Sequence, residues 1–133
     1  MKFIDTSANS QIPYEIKSEC SKFAQEVQRY VGFSQIILYG SYAKGTAHPW
    51  SDIDLAIISK NFHRMSTLKR KNLLLKACLE ANTPRIQSIG FTPYELETNT
   101  RPRILNHIRQ GVILFNGNVS KIHLKTSLPM RKK

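Results

Sequence analysis

The sequence predicts an α/β domain of the α+β type, a small mixed sheet flanked by helices. Two observations point there. Short apolar runs of strand length alternate along the chain with longer segments whose apolar residues recur at three- and four-residue steps. The 133 residues, 41% of them hydrophobic, suffice for one core and one domain.

Residues 1–13 show no period and read as an N-terminal arm. Over 14–31, Ile16, Cys20, Phe23, Val27, Tyr30 and Val31 form one helical stripe, and Gly32 stands where a helix stops. Residues 34–39 (SQIILY) suit a buried strand that ends abruptly at Gly40-Ser41. Residues 42–50 read as a turn or short helix followed by a loop. A second strand is expected over 52–59 (DIDLAIIS). Residues 65–81 read as a helix with Leu68, Leu75 and Leu79 on one stripe and Ser66 or Thr67 as N-cap. Asn82-Thr83-Pro84 breaks it. A third strand is expected over 85–91, a turn at Thr92-Pro93, and a helix over 98–110 with Ile104, Leu105 and Ile108 inward. A fourth strand, 112–115, precedes the turn Asn116-Gly117. Residues 14–117 then make the domain, and 118–133 a basic C-terminal tail.

Twenty Lys+Arg against nine Asp+Glu leave a formal charge of +11, which favours anionic partners: nucleotides, nucleic acid or an acidic protein. No apolar run approaches the ~20 residues of a membrane helix, and the first residues carry no long apolar stretch of a secretory signal. Cys20 and Cys78 sit at helical apolar positions and read as buried thiols of a cytoplasmic protein. The four histidines are scattered, without zinc spacing.

The chemistry concentrates in residues 38–58, LYGSYAKGTAHPWSDIDLAII. A strand running into Gly40-Ser41 brings a tight turn to the start of a short helix, where backbone amides and a hydroxyl can cradle phosphate oxygens. Asp52 and Asp54, one residue apart on the next strand, project from one face while Ile53, Leu55 and Ile57 project from the other. Two carboxylates so placed repel each other, and a hard divalent cation relieves the repulsion; a strand-edge pair exposed to solvent or bridged by lysines is the alternative. Phosphate cradle and metal site side by side are the working parts of nucleotidyl transfer.

Gly40-Ser41, Ala43, Lys44 and Gly45, followed by Ser51-Asp52-Ile53-Asp54-Leu55, resemble the signature of the DNA polymerase beta-type nucleotidyltransferase superfamily. The closest resemblance is to its small stand-alone members, the minimal nucleotidyltransferases. The stretch Phe91-Thr92-Pro93-Tyr94-Glu95-Leu96 is similar to the turn after that family's third core strand. Residues 107–115 are similar to its closing helix and strand. The resemblance implies the nucleotidyltransferase fold. It implies that Gly40 and Ser41 contact a nucleoside triphosphate, with Lys44 a further phosphate contact or a plain surface lysine. Asp52 and Asp54 would act as catalytic carboxylates holding Mg²⁺ (or Mn²⁺). It also implies transfer of a nucleotide monophosphate, AMP from Mg-ATP, to an acceptor hydroxyl, and a partner protein of the HEPN toxin type for which the chain is antitoxin.

The resemblance also implies a third carboxylate on the next strand. Counting back from Thr92-Pro93, that position falls on Gln87, whose amide can ligate or hydrogen-bond but cannot take a proton. Glu80, Glu95 and Glu97 are the acids nearest in sequence. Two alternatives stay open beside the transferase. One is a catalytically inactive binding or antitoxin module with the same fold. The other is a nucleic-acid binder working through two acid-free basic blocks, Lys60, Arg64, Lys69, Arg70, Lys71 and Lys76, and the eight Lys+Arg after Glu97. Trp50 can stack on a base or cover a core edge.

Overall fold

Antiparallel pairing of β2 (Gln35–Tyr39) with β3 (Ile53–Ile58) forms the centre of a five-stranded sheet. The computed structural model describes residues 2–3, 11–98 and 102–117. The strand order is β1-β5-β2-β3-β4, with β1 at Lys2–Phe3, β4 at Ile86–Phe91 and β5 at Val112–Asn116. Among the described residues only β3 and β4 pair in parallel; the other neighbours are antiparallel, so the sheet is mixed. A parallel pair needs a crossover, and α3 (Thr67–Ala81) supplies it.

Alternation along β3 feeds two cores. Ile53, Leu55 and Ile57 pack with Phe23 and Val27 of α1 (Tyr14–Tyr30) and Leu74 of α3. Ala56 and Ile58, on the opposite face, join Ile37 of β2 and Leu105 and Ile108 of α5 (Pro102–Arg109). That second face runs out of apolar residues at Asp54 and Asp52, where the candidate site begins.

Most of the predicted elements are present. Three differ. The helix expected over 98–110 is α5, and a separate helix, α4 (Pro93–Thr98), stands before it in place of the expected turn. Thr92 Oγ1 accepts from the Glu95 amide at 3.1 Å, and the Glu95 carboxylate accepts from the Thr92 amide at 2.9 Å. That reciprocal capping box turns the expected Thr92-Pro93 turn into a helix start. Pro102 then opens α5, where a missing amide hydrogen costs nothing.

Second, the stripe of Leu68, Leu75 and Leu79 faces outward, these residues being 66%, 54% and 71% exposed. The buried side of α3 is Leu74, Ala77 and Cys78, with Leu73 and Ala81 packed beside them. Both sets recur at helical steps, and spacing alone does not say which one meets the sheet. Ser66 is the N-cap, accepting from the Lys69 amide at 3.1 Å.

Third, the N-terminal arm contributes structure: Lys2–Phe3 pair with β5, and Ile12 is buried in the main core. A two-residue strand is too short to show a period. Residues 4–10 and the basic tail over 118–133 lie outside the described residues. Cys20 and Cys78 are free, buried thiols, as expected. Burial, and secondarily Glu19, pushes the Cys20 thiol up to about 12.

Candidate active site

At the end of β2 the chain passes through Gly40 at φ 77°, ψ −150°, a conformation open in practice to glycine alone. A Cβ here would strike the Asp54 carboxylate across the sheet. The glycine therefore does two things: it turns the backbone, and it lets that backbone lie directly against Asp54. Ser41 follows at once as the first residue of α2 (Ser41–Lys44), whose leading amides have no intrahelical carbonyls to bond. The short helix closes at Gly45, with Lys44 exposed in its last turn.

The loop from α2 to β3 is fixed by polar contacts. Tyr42 Oη donates to the His48 carbonyl at 3.2 Å, and the His48 amide donates to Ser51 Oγ at 2.7 Å. Arg85, one residue before β4, donates from the same nitrogen to Tyr42 Oη at 2.6 Å and to the Ser51 carbonyl at 3.0 Å. The Ile53 amide donates to the Arg85 carbonyl at 2.9 Å. Asp52, between Ser51 and Ile53, is thus anchored on both sides by backbone contacts to Arg85. Sequence reasoning did not single out Arg85 or Tyr42. A lone arginine before a strand carries no local signal of what it will reach.

Asp54 is half-buried and stands opposite Tyr39 of β2 and beside Gln87 of β4. Asp52 is exposed and shares its sheet face by alternation. Burial, and then the neighbouring Asp52 charge, raises the Asp54 carboxyl above its ordinary value. Burial, and then Asp54, pushes the Tyr39 phenol up to about 12. Neither aspartate has a basic ion-pair partner among the described residues. Two repelling carboxylates, held in place and left without a cationic side chain, fit a hard divalent cation as a pair of oxygen ligands.

The sequence-predicted residues divide cleanly. Gly40, Ser41, Asp52, Asp54 and Gln87 come together around the end of β2 and the starts of β3 and β4. Lys44 lies at the far end of α2. Glu95 is excluded as a substitute third carboxylate. It lies past Phe91, which pairs with Ile58, about 13 Å along the sheet from Asp54. There it is bound bidentately by Arg70 at 2.6 and 2.9 Å. Arg70 also donates to the carbonyls of Met65, Phe62 and Gly90, so it is no free surface charge of a basic block. Glu80 and Glu97 are exposed on α3 and α4. Among the described residues no three His, Cys, Asp or Glu side chains gather to hold a metal. Trp50 is 86% exposed and covers no core edge.

A family model described as a nucleotidyltransferase domain matches residues 20–109. Over 54 residues the chain is 41% identical to a candidate protein adenylyltransferase of Methanocaldococcus jannaschii, a match covering 39% of this chain and 37% of that relative's length. The fold is similar to the crystal structure of a candidate nucleotidyltransferase from Sulfolobus solfataricus. That likeness has a TM-score of 0.62 and covers 84% of this chain and 90% of the other at 14% identity.

Proposed function

The chain belongs to the nucleotidyltransferase domain family, and we propose that it transfers a nucleoside monophosphate, AMP from Mg-ATP, to an acceptor hydroxyl. The observation that supports this is the close approach of the Gly40 backbone to the Asp54 carboxylate, which has no basic ion-pair partner among the described residues; a phosphate-binding turn beside a cation site would need this arrangement.

In this reading the Ser41 hydroxyl and the leading amides of α2 hold the β- and γ-phosphates. Asp52 and Asp54 hold Mg²⁺ (or Mn²⁺), which when bound neutralises phosphate charge and orients the triphosphate. The acceptor oxygen bonds to the α-phosphorus, the bridge to the β-phosphate breaks, and pyrophosphate leaves with that electron pair. Gln87 beside Asp54 cannot accept the hydroxyl proton, so the proton passes to an aspartate or to solvent. Positioning and charge stabilisation supply the rate. The exposed Trp50 is available to a base at the mouth of the site.

The acceptor we assign is a protein hydroxyl, and the partner a HEPN-type toxin subunit. Support comes from the protein adenylyltransferase name of the Methanocaldococcus relative and from the resemblance to the minimal nucleotidyltransferases. Incubation of the chain and such a partner with α-labelled ATP tests it. Label should pass to the partner only with Mg²⁺ or Mn²⁺. Equal labelling by the Asp52→Asn/Asp54→Asn variant would sink the mechanism.

One observation favours a second reading. The neutral Gln87 stands in register with Asp54, where the family resemblance implies a carboxylate. A chain that has lost transfer but kept its fold would still neutralise its partner, and neutralisation would then survive the same double substitution.

A further inference from the structure

The exposed side of α3 carries a pattern that nucleotide chemistry does not use. Leu68, Leu75 and Leu79 are 66%, 54% and 71% exposed. Their spacing is seven and then four residues, and with Asn72 between them they fit a heptad seam. Leu68 and Leu75 take d positions, and Asn72 and Leu79 take a positions. The residues beside the seam are Lys69 and Lys76 at e and Lys71 at g, all exposed, while Cys78 at the second g position is buried in the core. Leu74, Ala77 and Ala81 lie on the other side of the helix and pack into the protein's own core. The helix is thus apolar on both sides, inside against the sheet and outside toward solvent, with lysines along the outer ridge.

Three observations select what covers this ridge. The 3.5-residue spacing is that of helix-on-helix packing rather than of a broad membrane-lying face. A polar Asn at an a position fixes register in a pair of helices, a task with no counterpart on a lipid surface. The flanking lysines decide the partner's charge. A second copy of α3, in either orientation, sets lysine against lysine. The chain's own segment over 118–133 contains five Lys+Arg and no acid, so it is repelled in the same way.

We propose that the outer face of α3 is half of a two-helix seam, and that it takes an amphipathic helix of another protein with apolar a and d residues and acidic e and g residues. α3 is 15 residues long, about 22 Å and two heptads, which is short for a free-standing pair. The partner helix is therefore held helical within its own folded protein. The surface is separate from the nucleotide site. α3 packs on the sheet face that carries Ile53, Leu55 and Ile57, and Asp54 projects from the opposite face. The proposal does not rest on catalysis.

The test uses the full-length, isotope-labelled chain without nucleotide, titrated with stapled synthetic helices and followed by NMR. One helix carries Leu at a and d, an Asn to face Asn72, and Glu at e and g; a second has Lys in place of Glu; a third has Ser in place of Leu. Saturable shifts on α3 are expected with the first helix only, the others binding at least about tenfold more weakly. Leu75→Glu, a substitution at an exposed site, should abolish binding. Lys69→Glu/Lys71→Glu, which spares the Lys76 ammonium over the Tyr30 ring, should reverse the preference toward the Lys helix. No saturable shift with the Glu helix, equal binding of Glu and Lys helices, or binding that persists in Leu75→Glu would overturn the proposal. So would dimerisation of the chain through the ridge in sedimentation, or binding of phosphatidylserine vesicles in place of the Glu helix.

Discussion

Asp54 of β3 and Gln87 of β4 stand side by side in a parallel pair of strands. Register places the two side chains on one face, with Asp52 one strand repeat away. A carboxylate at position 87 would complete a set of three, and the chain has an amide there instead. Gln87→Asp should therefore behave oppositely with and without metal. In metal-free buffer at pH 7 the added charge should destabilise the fold by about 1 kcal/mol. Mg²⁺ should reverse the loss and bind the variant more tightly than wild type, read as a larger rise in Tm. A variant whose Mg²⁺ response equals that of wild type would show that position 87 does not face the cation.

Removing the Asp54 charge should separate stability from activity. Its carboxyl is raised in the folded state by burial and then by Asp52. A raised carboxyl means that the folded protein holds its proton more tightly than the unfolded chain, so Asp54 costs stability as pH rises through that window. Asp54→Asn should accordingly unfold at a higher temperature than wild type at pH 7 without metal. It should lose the Mg²⁺-dependent rise in Tm, and transfer should fall at least about 100-fold. Thermal unfolding and labelling on one preparation read both. A variant less stable than wild type would show that the charge is compensated.

Gly40→Ala should cost about 2 kcal/mol, from a backbone conformation closed to alanine and a Cβ driven into the Asp54 carboxylate. The two causes can be split. In the Gly40→Ala/Asp54→Ala double variant the collision is gone and only the backbone cost remains. Denaturant unfolding of the four proteins should give a coupling of at least about 0.5 kcal/mol. Additive effects would mean that residue 40 does not touch Asp54.

The Arg70–Glu95 pair sets the acid limb of stability. The Arg70 hydrogen bond, more than the backbone and hydroxyl contacts of Thr92, holds the Glu95 carboxyl below its ordinary 4.5, against a smaller opposing effect of burial. Its contribution is fully present above about 4.5 and is lost as pH falls through the lower folded-state value. Glu95→Gln should flatten that part of the stability curve and cost about 1 kcal/mol at pH 7, the carboxylate being about a third exposed. Arg70→Met should cost more, about 2 kcal/mol, because three backbone carbonyls also lose a donor. An unchanged acid limb in Glu95→Gln would contradict the assignment.

What was legible in the sequence was local. The strands at 35–39 and 53–58 show as apolar runs, and the alternation of Asp52 and Asp54 with Ile53 and Leu55 announces their common face. Counting back from Thr92-Pro93 leads to Gln87, and in the sheet Gln87 is the register partner of Asp54. What stayed hidden depends on distant partners. Arg70 reads as one lysine-like charge among several until its five hydrogen bonds are seen to join α3 to β4 and α4. Arg85 gives no sign in the sequence that it will hold Tyr42 and the Ser51 carbonyl. Leu68, Leu75 and Leu79 show the right period for a core face, but α3 has two such faces and the sheet covers the other. The helix α4 was readable after all, since Thr92 and Glu95 have capping-box spacing with Pro93 at the first helical position.

Asp52 and Asp54 are proposed to hold a cation against a nucleoside triphosphate at the Gly40-Ser41 turn. Calorimetric titration of the chain with ATP and a non-hydrolysable analogue, with and without Mg²⁺, tests it without knowledge of the acceptor. Saturable binding is expected with Mg²⁺ present, at least about tenfold weaker without it, and lost in Asp52→Asn/Asp54→Asn while that variant remains folded. Binding that is indifferent to Mg²⁺ and to both aspartates, or no binding of any nucleoside triphosphate under either condition, would contradict the claim.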